Sequence, residues 1–209
     1  MTFEFWLAFV AATVMLLLIP GPTVLLVLSY AVSKGRSVAI ATALGVALGD
    51  FIAMTASLLG LGALVLASAT LFTALKWVGA AYLVWLGVKL LRSAPSQGLT
   101  ADTTRRDVTA RGVFVHAAVV TALNPKSIAF FIAFVPQFLR PEAPLLPQFA
   151  LLIATFVGLA AVNALAYALL ADRLRMTIGR PKVITGLTRT GGLALIGMGL
   201  VTALLRRPA

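Results

Sequence analysis

Long apolar runs, separated by short polar or basic connections, set the pattern of this chain. The first run extends from about Phe5 to Val32 and is closed by Lys34 and Arg36. From Val38 to Leu91 the chain holds only Asp50, Lys76 and Lys89, which is too long a stretch for one bilayer crossing, so a division near Ala67-Ser68-Ala69-Thr70 is expected. A polar linker over about 93–112 follows, carrying Pro95, Gly98, Asp102, Arg105, Arg106 and Asp107. Further apolar runs occupy Gly112 to Leu139, Leu146 to Ala171 and Leu187 to Leu205, parted by Arg140-Pro141-Glu142-Ala143-Pro144 and by a basic stretch with Arg173, Arg175, Arg180 and Lys182. A hydrocarbon core of about 30 Å takes roughly 20 helical residues. Backbone groups left unpaired in lipid are costly, so runs of this length form helices. The pattern predicts an all-α integral membrane protein with six transmembrane helices, organised as a single transporter domain over 1–209.

Composition agrees. Of 209 residues, 61% are hydrophobic and 11% charged, with the charges gathered between the runs rather than spread over a surface. The net charge of +11 raises the question of a nucleic-acid partner. The Lys and Arg residues, however, form no amphipathic face with interleaved aromatics, and the reading is no nucleic acid. Twelve of them fall in the first, third and fifth connections and four on the other side, the asymmetry expected when the basic loops face the cytoplasm. Both termini are then expected outside, although Arg206 and Arg207 argue mildly against that for the C-terminus. The start, with Glu4 and no basic region, reads as a retained first span rather than a cleaved signal. There is no cysteine, which excludes disulfides and thiolate metal sites.

The six runs divide into two sets of three about the linker, repeat 1 at about 1–92 and repeat 2 at about 113–209. Odd-numbered halves insert in opposite orientations, so an inverted 3+3 repeat would show matched irregularities. The first span is interrupted by Pro20-Gly21-Pro22 and the fourth by Asn124-Pro125-Lys126. Gly45 and Asp50 in span two lie 113 residues before Gly158 and Asn163 in span five. Gly79 and Gly87 in span three lie 112 before Gly191 and Gly199 in span six. Between the two breaks the offset is 103, the difference being taken up by the turn from Pro136 to Pro147. Unrelated helices of similar composition would be the alternative.

The breaks and the buried charges are the candidate chemistry. Each proline removes an N–H and clashes with the preceding turn, so two around a glycine should unwind a helix. Unwound backbone at membrane depth is tolerated where a cavity or buried partners satisfy it. Pro20, Gly21, Pro22, Asn124, Pro125 and Lys126 are therefore candidate substrate-binding residues, with a packing kink as the other reading. Lys126 lies about fifteen residues past Arg111, a depth that costs a few kcal/mol unless the charge is paired or hydrated. It could meet a substrate carboxylate, pair with Asp50, or snorkel to the headgroups. Asp50 is the only carboxylate inside a span and suits proton coupling or amine binding; a static helix-holding role is the alternative. Asn163 and Tyr82 are secondary candidates. Trp77 and Trp85, like Tyr82, could line a path or form an aromatic belt. His116 could relay protons or sit at the interface. Gly45 and Gly49 read as a close-packing pair that would also permit a homo-oligomer. No metal cluster, nucleophile triad or phosphate loop is evident, so neither a metal, a cofactor nor an enzyme is expected.

Pro20-Gly21-Pro22, the stretch from Gly45 to Asp50, Ala81 to Gly87, and Asn124-Pro125-Lys126 followed by Phe130-Phe131 and Pro136-Gln137-Phe138 resemble the LysE/RhtB family of amino-acid exporters. The likeness covers almost the whole chain, is most specific from Asn124 to Phe138 and is weakest after it. It implies a multi-pass exporter of the bacterial inner membrane that moves a small amino acid or derivative, such as homoserine, threonine, leucine or lysine, in antiport with protons. Two rivals are a metal-cation exporter, disfavoured because hard cations need several oxygen ligands, and a non-transporting membrane scaffold, which would not need two matched breaks.

Overall fold

The computed structural model describes residues 1–19, 21–34, 38–67, 69–92, 109–140, 143–171 and 181–204. The elements among them are helical: α1 (Phe3–Leu18), α2 (Pro22–Lys34), α3 (Ala39–Ala67), α4 (Ala69–Arg92), α5 (Ala110–Ala122), α6 (Pro125–Ala133), a short 3₁₀ turn (Val135–Phe138), α7 (Leu145–Leu169) and α8 (Pro181–Leu204). Stretches of α3, α4, α7 and α8 are each long and apolar enough to cross a membrane. The pairs α1 with α2 and α5 with α6 reach that length together, at bends of 59° and 46°. Among the described residues there are thus four candidate spans, or up to six if each bent pair counts as one. The division expected near Ala67 to Thr70 falls where α3 ends and α4 begins. Pro20, most of the linker, the basic stretch before α8 and the Arg206-Arg207 pair lie outside the described residues.

Large apolar side chains cover the outside: Ile40, Leu44, Leu59, Trp77, Val78, Leu146 and Leu193 are all exposed. In water such a surface would drive aggregation, whereas against lipid tails it is the required one. Association inside lipid rests on close packing and hydrogen bonds rather than on hydrophobic burial. Accordingly the tightest helix pairs meet at glycines. A Cβ on Gly49 would lie 2.5 Å from the Ala118 carbonyl of α5, and one on Gly87 would lie 2.6 Å from the Gly192 carbonyl of α8. No side chain fits at either distance, so α3 with α5, and α4 with α8, approach backbone to backbone. This bears out the reading of Gly45 and Gly49 as a packing pair. Gly158, the expected counterpart of Gly45, behaves differently: no atom of the described residues lies within 4 Å of where its Cβ would be.

The N-terminal part of α1, with α6, the 3₁₀ turn and α7, closes over a cluster of phenylalanines. Phe9, Phe130, Phe131 and Phe156 are fully buried. Phe131 meets Phe156 edge-on at 4.7 Å, Phe9 meets Phe138 at 5.3 Å, and Phe130 stacks on Phe134 at 5.2 Å. Edge-to-face and offset pairs at these separations each add about 1 kcal/mol beyond burial. This cluster caps one end of the site described next.

Candidate functional site

α1 ends one turn before the proline motif. Ile19 adopts an extended backbone and its N–H turns back to the Leu16 carbonyl. The chain restarts as a helix at Pro22, and Leu25 N–H donates to the Gly21 carbonyl at 3.0 Å. The second break is built differently. Leu123 closes α5, Pro125 occupies the first position of α6, where its missing N–H costs nothing, and Asn124 is the cap. The Asn124 Oδ1 accepts from Lys126 N–H at 3.1 Å, the usual role of an N-cap side chain.

The two breaks are tied to one another. Asn124 Nδ2 donates to Thr23 Oγ1 at 3.1 Å, and Thr23 Oγ1 lies 3.3 Å from Thr121 Oγ1 at the end of α5. Lys126 Nζ crosses from α6 to the end of α1, where it donates to the carbonyls of Leu16 and Ile19, both at 2.9 Å. A cation at a helix C-terminus meets the negative end of the dipole as well as the orphan carbonyls. Lys126 is 9% exposed, so the snorkelling reading fails: two charge-assisted bonds of about 1.5–3 kcal/mol each cover a burial cost of a few kcal/mol. Gly21 matters here for space, since a Cβ would sit 3.3 Å from Lys126 Nζ.

A small cavity of about 20 Å³ lies at the junction, lined among others by Thr23, Asp50, Asn124, Lys126, Asn163 and Tyr167. That volume holds about one water and no amino acid. Asp50 and Lys126 face the same space from α3 and α6. Asp50 is 2% exposed, and its Oδ1 has no hydrogen-bond partner among the described residues. Asn163 Nδ2 approaches the Leu17 carbonyl of α1 at 3.5 Å. The walls are apolar: Val24, Val27, Val46, Ala160 and Ala164.

The cavity thus gathers Asp50, Asn124, Lys126 and Asn163 from the sequence candidates. Gly21 lies against the Lys126 ammonium, while Pro22 and Pro125 begin the two helices. Tyr82 is not among the cavity residues; it sits half-buried on α4 with its ring 5.4 Å from that of Trp85. An aromatic residue in a span carries no mark of which face it takes, so its place on α4 could not be read from residue type. Trp77 and Trp85 are exposed at 54% and 53%, toward lipid. His116 is also exposed, and its Nδ1 lies 2.7 Å from the Tyr30 hydroxyl, bridging α5 and α2. Two cavity residues went unread: Ser127, which nothing distinguishes in sequence, and Tyr167, which reads as an interfacial aromatic.

The profile of the LysE type translocator family matches residues 14–206, nearly the whole chain; it is a family of translocators, not of enzymes. A homoserine/homoserine lactone efflux protein of Salmonella typhimurium is 35% identical over 97% of this chain and 98% of its own length. An uncharacterized membrane protein of Vibrio cholerae has the same identity and coverage. A leucine efflux protein of Salmonella choleraesuis is 34% identical over 68% of this chain and 66% of its own length. No solved structure matches the chain.

Proposed function

The chain belongs to the LysE type translocator family of multi-pass membrane proteins, and on that premise we propose that it is a secondary transporter exporting an amino acid or small derivative. The relatives named for homoserine/homoserine lactone and leucine efflux support that substrate class. The observation that carries the reading is the cavity between the breaks. It places a carboxylate with a free oxygen, an ammonium and two helix starts in an apolar surround. An amino acid has complementary parts. Its carboxylate suits the first turns of α2 and α6, where helix dipoles point positive ends inward, and the third N–H of Lys126, two being already engaged. Its ammonium suits Asp50 Oδ1.

Proton coupling follows from the same atom. A buried carboxylate oxygen without a protein donor can be completed by a proton, by a substrate ammonium or by the single water the cavity has room for, and the first two are the exchange that coupling requires. Proton entry and substrate exit would then alternate at Asp50. The bent pairs act as broken spans one and four of an inverted repeat, with the basic connections in the cytoplasm, both termini outside and the protein in the inner membrane. The pairing of α3 with α7 and of α4 with α8, helices equivalent under such a repeat, supports this arrangement. The present cavity is too small for any amino acid, so loading requires the breaks to part.

The test is efflux from loaded cells or uptake into inside-out vesicles, run over a panel of amino acids with the intact chain. One amino acid should accumulate in the medium, and Asp50→Asn should abolish gradient-driven efflux while the protein stays in the membrane. Normal efflux by that variant would remove Asp50 from coupling; metal resistance without amino-acid efflux would favour a cation exporter.

A further inference from the structure

The two repeats are packed unequally, and the inequality has a pattern. The segments Ile40-Ala41-Thr42-x-x-Gly45 and Ile153-Ala154-Thr155-x-x-Gly158 align at the 113-residue offset that also pairs Asp50 with Asn163. Thr42 and Thr155 even make the same bond, each hydroxyl donating to the carbonyl four residues back at 2.8 Å. Yet α3 lays its Gly45-Gly49 face directly on α5. A Cβ on Gly45 would be 2.4 Å from the Phe114 carbonyl and 2.9 Å from the Ala117 Cβ. The equivalent face of α7 is bare: Gly158 has nothing within 4 Å and Val162, in the register of Gly49, is 67% exposed.

The partner that this face lacks is also bare. At the 103-residue offset between the breaks, Ala117, Ala118 and Thr121 of α5 correspond to Val14, Met15 and Leu18 of α1. The α5 residues are buried against α3, while Val14, Met15 and Leu18 are 38%, 50% and 47% exposed. α1 instead touches α7 along a different strip, through Trp6 Nε1 to Thr155 Oγ1 at 3.1 Å and through Asn163 to the Leu17 carbonyl. Two exposed faces that the repeat makes equivalent to a tightly packed pair therefore lie on two contacting helices without meeting, Met15 bordering a groove beside α8 instead.

We propose that the transporter works by exchanging this packing between its halves: in its second conformation the Val14-Met15-Leu18 strip of α1 packs onto the Gly158-Val162 face of α7, as Ala117-Ala118-Thr121 of α5 now packs onto Gly45-Gly49 of α3. The inference rests on the inverted-repeat reading above. It gives Gly158 a role invisible in the present conformation. The residue is a glycine because the other conformation brings α1 against it; what sets it apart from other open glycines is its correspondence to Gly45, which is packed. An inverted pair of repeats that swap conformations is a general route to alternating access, and helix interfaces shift between discrete packings rather than deforming smoothly.

The experiment uses the full chain. Gly158→Leu has room in the present packing, so the variant should reach the membrane and stay monodisperse, but its efflux should fall at least tenfold. Gly60→Leu, at another glycine with open space, should retain efflux within twofold. Efflux by Gly158→Leu within twofold of the parent would overturn the packing exchange. A second measurement covers a variant that fails to fold. The chain has no cysteine, so Val14→Cys with Gly158→Cys gives a clean pair. At the equivalent positions 117 and 45 the Cβ atoms would be 2.9 Å apart, so moving apart by under about 1 Å brings such a pair to the roughly 3.5–4.5 Å of a disulfide. Oxidative cross-linking should form this bond, more rapidly with a proton gradient and the panel amino acid the parent moves, and reduction should restore efflux. No cross-link under any condition overturns the proposal. The cross-link reads the packing exchange whether or not efflux is seen, whereas a parent that moves no amino acid overturns the transport reading alone.

Discussion

The two helix breaks solve the same problem by different means. The break between α5 and α6 is self-sufficient: Asn124 caps the new helix with its own side chain, and Pro125 fills the position where an N–H is least needed. The break between α1 and α2 has no comparable provision. Ile19, which ends α1, offers no polar side chain, and the Leu16 and Ile19 carbonyls are satisfied by Lys126 from the other break. Thr23 at the start of α2 is likewise met by Asn124 and Thr121. One break is thus supplied by the other. The lesson is that the first cannot open alone: any movement of α1 away from α2 must also release either Lys126 from the α1 carbonyls or Thr23 from Asn124 and Thr121.

The sharpest way to break this comparison is to remove the donor. Lys126→Met keeps the length of the side chain but takes away both bonds to α1. Losing two charge-assisted bonds of about 1.5–3 kcal/mol each exceeds the few kcal/mol recovered by no longer burying a charge. The net loss should be about 2 kcal/mol, read as a fall of about 4–8 °C in the melting temperature in detergent. Efflux should be lost. A variant as stable as the parent would mean that the α1 carbonyls find water or another donor, and that the first break stands by itself.

Asn124→Ala should come next. It removes the cap of α6, worth about 1 kcal/mol, together with the bond to Thr23. About 1–2 kcal/mol, or roughly 3–6 °C, is expected. Because Asn124 serves both breaks, the amide protons at the start of α2 and of α6 should both lose protection in hydrogen exchange. Loss confined to α6 would show that the two breaks are independent.

The outline of this site was legible in the sequence for reasons specific to the membrane. A proline cannot donate and a lysine or aspartate cannot sit cheaply in hydrocarbon, so Pro22, Asn124-Pro125, Lys126 and Asp50 stood out against an apolar background. What Lys126 does was not legible, because its partners are the carbonyls of Leu16 and Ile19, and a backbone acceptor leaves no trace in side-chain identity. Its position in the sequence points to a substrate, Asp50 or the headgroups as partner, and gives no sign of the helix end. Tyr82 shows the converse: residue type suggested a site, while the structure leaves it off the cavity, beside Trp85 on α4. The likeness of the two halves goes beyond the spacing of glycines, since Ile40-Ala41-Thr42 and Ile153-Ala154-Thr155 are identical at the same offset. The inequality of packing around Gly45 and Gly158 could not be read from sequence at all, because equivalent residues need not have equivalent neighbours in any one conformation.

The smallest expected effect tests how the breaks share their hydroxyls. Thr121 is buried at the end of α5, and its Oγ1 lies 3.3 Å from Thr23 Oγ1, at the long end of a hydrogen bond. Thr23 also receives the Asn124 amide at 3.1 Å. Thr121→Val keeps the shape, removes one hydroxyl and leaves Thr23 with its other partner. The cost should be about 0.5 kcal/mol, at the low end for a single hydrogen bond, or roughly 1–2 °C in melting temperature, with efflux within twofold of the parent. If the loss instead matched that of Asn124→Ala, the hydroxyl pair rather than the amide would be the tie between the breaks. Thr121, at the end of α5, would then be the residue that must let go before α1 and α2 can part.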